Sequence, residues 1–179
     1  MIVEGVGFDH LRQTVVVLKD WEGRKLLPIW IGASEAKAIA LELEGAKPPR
    51  PLSHDLLVDC LRHIRGRITR VVINDLQDST FYATIDIDTP QGLKHIDSRP
   101  SDAIALAVRV KCPVFVDGGA LDALIEMGDL MPGVEVAEAE SPVEPDAAAE
   151  EILPMPSAKS EADDEEIDRF KRLVGDLDL

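Results

Sequence analysis

The sequence is poor in several residue types and motifs on which common classes of protein depend. It contains two tryptophans, one tyrosine and four phenylalanines in 179 residues, so aromatic platforms for stacking nucleic-acid bases are scarce. It has no P-loop, no glycine motif for dinucleotides, no zinc-ligand spacing and no nucleophile-elbow motif. No apolar run approaches the roughly 18–20 residues of a membrane span. We therefore expect neither an organic cofactor nor a membrane partner.

Cysteine is also scarce, with two residues in the chain. Cys60 falls on an apolar helix face and Cys112 precedes a proline. We interpret both as reduced, buried thiols, because disulfides are rare in the cytosol. The first residues enter a strand-like pattern without a basic region or a signal-type apolar core. Both observations predict a cytoplasmic protein.

Acidic residues exceed basic ones, but the excess is uneven along the chain. The formal net charge is −15; residues 1–127 hold 15 Lys+Arg against 18 Asp+Glu, whereas residues 128–179 hold 4 against 16. Five of the twelve prolines fall between residues 129 and 159. We predict a folded domain over 1–128, a disordered, acidic, Pro-rich linker over 129–159 and an amphipathic helix over 160–179.

The pattern within the first 128 residues predicts an α+β fold, with a mixed, mostly antiparallel sheet and three to four packed helices. Alternating or apolar runs rich in Val and Ile predict strands near 2–8, 12–18, 25–31, 67–76, 79–88 and 114–116. Helical spacing predicts one helix from Ser34 to Gly45, one from Ser53 to Gly66, one after Pro100 and a short one near 119–127. Serines 34 and 53 are the expected helix caps. Pro28 cannot donate to a ladder, which puts its strand at an edge or a bulge.

The third helix has almost no polar face between Ala103 and Val108, so we expect it to be buried. Pro100 suits its first position and Asp102 its first turn, where a carboxylate meets free N–H groups; a cap at Ser101 is the other possible phasing. A charged turn at the start of a buried helix must be paired or solvated. With Arg99 alongside, this turn could hold a phosphate; Asp97 and Asp102 could instead hold a divalent cation, or Arg99 could pair with one of these acids.

A second polar cluster precedes the second helix and consists of Arg50, His54 and Asp55. Histidine can act as a general base or a metal ligand, aspartate as a ligand, and arginine as a phosphate clamp. The structural alternative is helix capping by Ser53 and Asp55 with Arg50 as an ion-pair partner.

Two further sets have weaker signals. The turn signature Thr89-Pro90-Gln91-Gly92 pairs Asp86 with His95 and Thr84 with Asp97, so Asp86, His95 and Asp97 share one hairpin face. This trio could bind a metal ion, although a half-solvated face has the same pattern. A basic run around Gly66 could follow a nucleic-acid backbone or be a solvated helix end; it contains Arg62, Arg65, Arg67 and Arg70.

Four motifs in order make the sequence resemble the bifunctional nuclease domain family. They are Leu27-Pro28-Ile29-Trp30-Ile31-Gly32 with Glu35-Ala36, Pro49-Arg50-Pro51 with Ser53-His54-Asp55-Leu56, Thr80-Phe81-Tyr82-Ala83, and Asp97-Ser98-Arg99-Pro100-Ser101-Asp102-Ala103-Ile104. The resemblance implies an α+β domain that self-associates and cleaves both RNA and DNA. It marks as motif positions Glu35, Arg50, His54, Asp55, Asp97, Arg99, Ser101 and Asp102.

The leading hypothesis is a metal-dependent nuclease of low specificity. The catalytic set is His54, Asp55, Asp97 and Asp102, and the phosphate-binding set is Arg50, Arg99 and Ser101. A Mg²⁺ or Mn²⁺ ion would be held by Asp55, Asp97 and Asp102, with Glu35 as a weaker ligand. The rival hypothesis is a non-enzymatic, oligomeric binding or regulatory module with structural Arg/Asp clusters. In a third hypothesis, the acidic segment after residue 127 mimics nucleic acid and controls access to the basic run around Gly66.

Overall fold

The computed structural model describes residues 1–127 and 135–136. It has an α+β fold with two mostly antiparallel sheets. The strands are β1 (Ile2–Phe8), β2 (Thr14–Lys19), β3 (Lys25–Trp30), β4 (Arg67–Gln77), β5 (Thr80–Thr89), β6 (Gly92–Ser98), β7 (Val114–Val116), β8 (Ile125–Glu126) and β9 (Glu135–Val136). The α-helices are α1 (Ala33–Leu43), α2 (Ser53–His63) and α3 (Pro100–Val110), and a 3₁₀ helix covers Gly118–Ala123. The expected fold class is confirmed, although two sheets form where one was expected.

The first sheet is antiparallel throughout, with the order β8-β3-β2-β1-β9. Its β1–β2 hairpin is the predicted one. Pro28 pairs with Val17 on one side, while on the other side β8 reaches only Lys25 and Leu26. The strand of Pro28 is therefore not an edge strand as expected, since β8 flanks β3, but among the described residues the ladder with β8 ends before it reaches Pro28.

The second sheet has the order β6-β5-β4-β7, with β7 parallel to β4 and the other pairs antiparallel. The hairpin register is the predicted one, since Asp86 pairs with His95 and Thr84 with Asp97. Ala83, Ile85 and Ile87 face the core from this sheet. The turn chemistry alone was enough to predict which residues share each face.

Helix α3 is buried within the described domain, as its apolar sequence predicts. Five consecutive residues, Ala103 to Ala107, are at most 5 % exposed. The helix packs against α1 and against β4 and β5 of the second sheet, and its core cluster also includes Val16, Leu18, Leu27 and Ile29 of the first sheet. The helix begins at Pro100 with Arg99 as its N-cap, so Asp102 occupies the third position and the alternative phasing with Ser101 as cap is wrong.

Helix α2 differs from the expectation. The apolar face that carries Cys60 lies largely at the surface, with Leu56 60 % and Leu57 50 % exposed and Cys60 also exposed. Only Val58 is buried, because among the described elements α2 packs mainly on α3 along one narrow line. The prediction that Cys60 is a buried thiol is therefore wrong. Cys112 is half-buried, and both cysteines are free thiols.

The predicted serine caps are also corrected. The N-cap of α1 is Gly32 and that of α2 is Leu52, so Ser34 and Ser53 lie within the first turns. Near the end of the domain, the short helix expected around 119–127 is a 3₁₀ helix followed by the two-residue strand β8.

Residues 135–136 fall inside the predicted linker, yet they pair with β1 as strand β9. The rest of the linker over 129–159 and the amphipathic helix over 160–179 lie outside the described residues. In the part of the chain that the structure describes, none of the helices has both the length and the apolarity needed to cross a lipid bilayer.

Candidate functional site

The first turns of all three α-helices line one cleft of about 1140 Å³. We call it the helix-start cleft. Its polar residues include Ser34, Glu35, Ser53, His54, Arg99 and Asp102. Its apolar wall includes Leu57, Ile85, Ile87, Ile96 and Leu106. Free backbone N–H groups and the positive end of the helix dipole favour negative charge at a helix start, so three starts in one cleft favour an anion.

Each of the three helices carries a carboxylate at its third position, namely Glu35, Asp55 and Asp102. A carboxylate there compensates the helix dipole and can reach back to the N-cap backbone. At α1 the Glu35 carboxylate lies where a Cβ at Gly32 would be, so a larger residue at this position would displace the carboxylate. This repeated position explains the acids in three of the sequence motifs.

Arg99 joins two of these carboxylates. Its Nε donates to Asp102 Oδ2 at 2.7 Å and its Nη2 donates to Asp102 Oδ1 at 3.2 Å. The same Nη2 lies 3.1 Å from Glu35 Oε1. No contact of Nη1 with another side chain is present among the described residues, and 66 % of the Arg99 side chain is exposed. The guanidinium therefore keeps donors for a ligand in the cleft.

His54 completes a line of four charged or titratable groups. Its Nε2 lies 3.2 Å from Asp102 Oδ1, and only 13 % of its side chain is exposed. The loop before α2 and the turn before α3 thus lie side by side, which the sequence hypothesis required. The order of contacts is Glu35, Arg99, Asp102, His54.

The environment of Asp102 favours the ionised form of its carboxyl group. Burial raises the pKa of Asp102, but hydrogen bonds from Arg99 and His54 outweigh burial and hold the pKa below its ordinary value. An ionised carboxylate can only accept hydrogen bonds, so His54 Nε2 carries the proton. In the neutral ring the basic nitrogen is then Nδ1, which suits proton transfer.

Asp55 lies apart from this line of contacts. Its Oδ1 accepts from Arg109 Nε at 2.6 Å and its Oδ2 accepts from the Leu52 backbone N–H at 2.7 Å. Burial raises the pKa of Asp55, whereas these two donors lower it and prevail. Asp55 is not among the residues that line the helix-start cleft, and the structure gives it a role in fixing α2.

Three other predicted site residues are placed differently from His54 and Asp102. Arg50 is exposed and does not line the helix-start cleft, and no carboxylate of the described residues lies within 4.0 Å of its guanidinium. Ser101 is 6 % exposed and is buried beneath the turn. Asp97 lines the cleft edge, but its register with Thr84 directs its side chain to the face of Asp86 and His95.

The predicted metal ligands do not form a set. Within residues 1–127 and 135–136, no three His, Cys, Asp or Glu side chains are close enough to hold one ion. Both oxygens of Asp55 and both of Asp102 already accept hydrogen bonds. The side chain of Asp97 lies on the face of the sheet that carries Asp86 and His95. These carboxylates therefore do not fit a shared Mg²⁺ or Mn²⁺ ion, and the dependence on a metal stays a prediction.

The hairpin trio is also engaged. Asp86 is 2 % exposed, and its carboxylate accepts from Arg70 Nε at 2.5 Å and from His95 Nδ1 at 2.6 Å. Burial raises the pKa of Asp86, but the hydrogen bonds from Arg70 and His95 lower it by more. This cluster is an ion pair on the outer face of the sheet.

The sequence hypothesis missed Arg109, which is 5 % exposed at the side chain. Its guanidinium donates to Asp55, to the Ala105 carbonyl at 2.8 Å and to the Ala38 carbonyl at 3.1 Å. It thereby ties α1, α2 and α3 together. A single arginine near the end of an otherwise apolar helix was the available signal.

Fold and site together define an α+β domain with a cleft where three helix starts meet and where a histidine is paired with a carboxylate. The model of the family described as "Bifunctional nuclease domain" matches residues 16–124. The chain is also similar to two proteins of Mycobacterium tuberculosis, "Uncharacterized protein MT1877" of strain CDC 1551 / Oshkosh and "Uncharacterized protein Rv1829" of strain ATCC 25618 / H37Rv. Each is 42 % identical over 134 residues, which is 75 % of this chain and 78 % of the relative.

The chain therefore belongs to the bifunctional nuclease domain family, as its four motifs indicated. The match covers β2 through the 3₁₀ helix, and so it includes every residue of the helix-start cleft.

Proposed function

We infer that the chain is a nuclease that hydrolyses phosphodiester bonds of RNA and DNA with low sequence specificity. The observation that carries this proposal is the pairing of His54 with Asp102 where three helix starts meet. The family match supports the reaction class. Nucleic acid is accordingly the proposed partner, and the expected self-association and cytoplasmic location remain predictions.

Substrate binding follows from the charges of the cleft. A phosphodiester carries one negative charge, which the helix starts and the free Nη1 donors of Arg99 attract. Because Arg99 is held by Asp102 and Glu35, its guanidinium is fixed before the substrate arrives. A guanidinium fixed in this way loses little entropy on binding.

The chemical step uses the imidazole. His54 Nδ1 accepts the proton of the attacking group, which is water for either nucleic acid or the 2′-hydroxyl for RNA. Asp102 keeps the ring in the tautomer that leaves Nδ1 basic and stabilises the imidazolium that forms. The proton then passes to the departing oxygen. Proton transfer by a positioned side chain contributes about 10²–10⁴-fold in rate.

The test is turnover of single-stranded RNA and DNA by highly purified full chain, beside His54→Gln. We expect the variant to lose about 10²-fold or more. His10→Gln is the matched control, since His10 is an exposed histidine in the β1–β2 turn and does not line the cleft. Equal turnover in wild type and His54→Gln, or activity that varies between preparations, would contradict the proposal.

Dependence on a metal ion is tested in the same turnover assay, which is run with and without EDTA. The notion that Mg²⁺ or Mn²⁺ is needed gains support if EDTA abolishes turnover and added Mn²⁺ restores it. Turnover that survives EDTA removes the metal from the proposal and leaves the role of His54 intact.

A specific observation favours a second function, a binding module without catalysis. The charged groups of the site are matched to one another, as Arg99 is to Asp102 and Glu35 and Asp55 is to Arg109. Such pairs also occur where they only fix a fold. In that case Arg99 and Asp102 couple in the free energy of unfolding, and their removal leaves any phosphodiester turnover unchanged.

A further inference from the structure

A second cleft, of about 770 Å³, lies between the end of α2, the start of β4 and the end of α3. We call it the basic cleft. Five of its lining residues are cationic: Arg62, Arg65, Arg67, Arg109 and Lys111. None of its lining residues is Asp or Glu. This lining contrasts with the net charge of −15 of the whole chain.

The five cations are not equally available. Arg109 is buried and bonded to Asp55. Arg62 pairs with Asp59 at 3.2 Å, and Arg67 lies 4.0 Å from Asp88. Within the described residues, no carboxylate lies within 4.0 Å of the side-chain nitrogens of Arg65 or Lys111. These two residues supply the unmatched positive charge of the basic cleft.

The backbone at both residues is unusual. Arg65 follows α2 with φ +60°, and Lys111 follows α3 with φ +55°. The left-handed conformation after a helix is ordinarily occupied by glycine, because other residues are strained there. Both helix ends thus carry a long cation where glycine would be more stable. Both of these side chains line the same cleft.

The basic cleft adjoins the helix-start cleft, since Leu61 and Ile68 line both. Helix α2 connects the two, with His54 in its first turn and Arg62 in its last. Eight residues at 1.5 Å rise place these side chains about 12 Å apart along the helix. A single polynucleotide strand spans this distance with a few nucleotides.

We propose that the basic cleft binds the phosphate backbone of the substrate strand a few nucleotides from the bond cleaved beside His54. The position relative to His54 rests on the proposed function. The substrate class is therefore a polynucleotide strand long enough to reach both clefts.

The substitutions Arg65→Gly and Lys111→Gly test this directly. Glycine removes the charge and suits the left-handed backbone, so both variants keep or gain thermal stability. Arg12→Gly is the matched control: Arg12 is exposed with φ +58°, in the β1–β2 turn, and lines neither cleft. All proteins are full chains that also carry His54→Gln, so that the strand is not consumed.

Binding of a labelled single-stranded DNA 12-mer is followed by fluorescence anisotropy between 0.05 and 0.3 M salt. Each lost phosphate contact lowers the salt slope by about 0.7, which is about fivefold in affinity at 0.1 M. We expect the double variant to bind the 12-mer about 25-fold more weakly, with a slope smaller by about 1.4. The affinity of the Arg12→Gly control stays within twofold.

Unchanged 12-mer affinity in the double variant overturns the inference, and so does an equal loss in the Arg12→Gly control. The failure of the proposed function has a different signature. If the strand binds through Arg65 and Lys111 but His54→Gln does not slow turnover, the basic-cleft inference is supported and the proposed nuclease mechanism is contradicted. If His54→Gln abolishes turnover and the glycine variants bind the 12-mer with unchanged affinity, only the basic-cleft inference is contradicted.

Discussion

His54 Nε2 lies 3.2 Å from Asp102 Oδ1, although 48 positions separate the two residues in the chain. The contact joins the first turn of α2 to the first turn of α3. Asp102 also accepts a hydrogen bond from Arg99. The imidazole of His54 is therefore positioned by a carboxylate that is itself fixed. This arrangement turns two separate sequence motifs into one site, and its consequences can be measured.

Acid should destabilise the chain through three carboxylates. The pKa values of Asp55, Asp86 and Asp102 are each lowered from 3.8 in the folded protein. A lowered carboxyl pKa stabilises the fold above the unfolded value, and this stabilisation is lost as pH falls through the folded value. The free energy of unfolding, from urea titrations between pH 6 and 2, should therefore fall below about pH 4. Replacement of any of the three by Asn should flatten this decline, and a rise in stability on acidification would contradict it.

The pair of Asp55 and Arg109 should matter for stability and not for chemistry. We expect Arg109→Met to lower the free energy of unfolding by about 3 kcal/mol, the lower end for a broken buried ion pair, because 29 % of the Asp55 side chain is exposed. Asp55→Asn should lower it by less and leave turnover per folded molecule within twofold. The measurements are urea denaturation and kcat on the same samples. A 10²-fold loss of kcat in stably folded Asp55→Asn would instead place Asp55 in the reaction.

The hairpin cluster of Asp86, Arg70 and His95 should also be structural. Asp86→Asn weakens two charge-assisted hydrogen bonds, so we expect a loss of about 1 kcal/mol at pH 7 in urea denaturation. Asp88→Asn is the matched control two residues along β5, since its ion pair with Arg67 is long and exposed. His95→Gln should leave turnover within twofold. A greater loss of activity in His95→Gln would move the site to the outer face of the sheet.

The features of the fold that depend on residues close together in the sequence were predicted correctly. The Pro-Gln-Gly turn fixed the register of Asp86 and His95, and the unbroken apolar run from Ala103 predicted the buried α3. The exposure of Leu56 and Leu57 was missed, because periodicity marks an apolar face without saying whether a partner covers it. The lone arginine of α3 was a local signal, but the partners of Arg109 in α1 and α2 depend on where those helices lie and cannot be read from the sequence of α3.

The candidate site was predicted in part for the same reason. The motifs placed His54 and Asp102 among the candidates, but the order of contacts from Glu35 to His54 depends on three helix starts meeting in one cleft. The split between Asp55 and Asp102, which occupy the same position in their helices, follows from which cation each one meets. Sequence spacing cannot distinguish two such positions.

The most direct test of the central claim is a double-mutant cycle on turnover of single-stranded RNA by His54→Gln, Asp102→Asn and the double variant. Groups that act as one unit give non-additive losses. We predict that each single variant loses at least about 10²-fold in kcat and that the double variant loses no more than His54→Gln alone. Losses that multiply, or wild-type turnover in His54→Gln, would contradict the account.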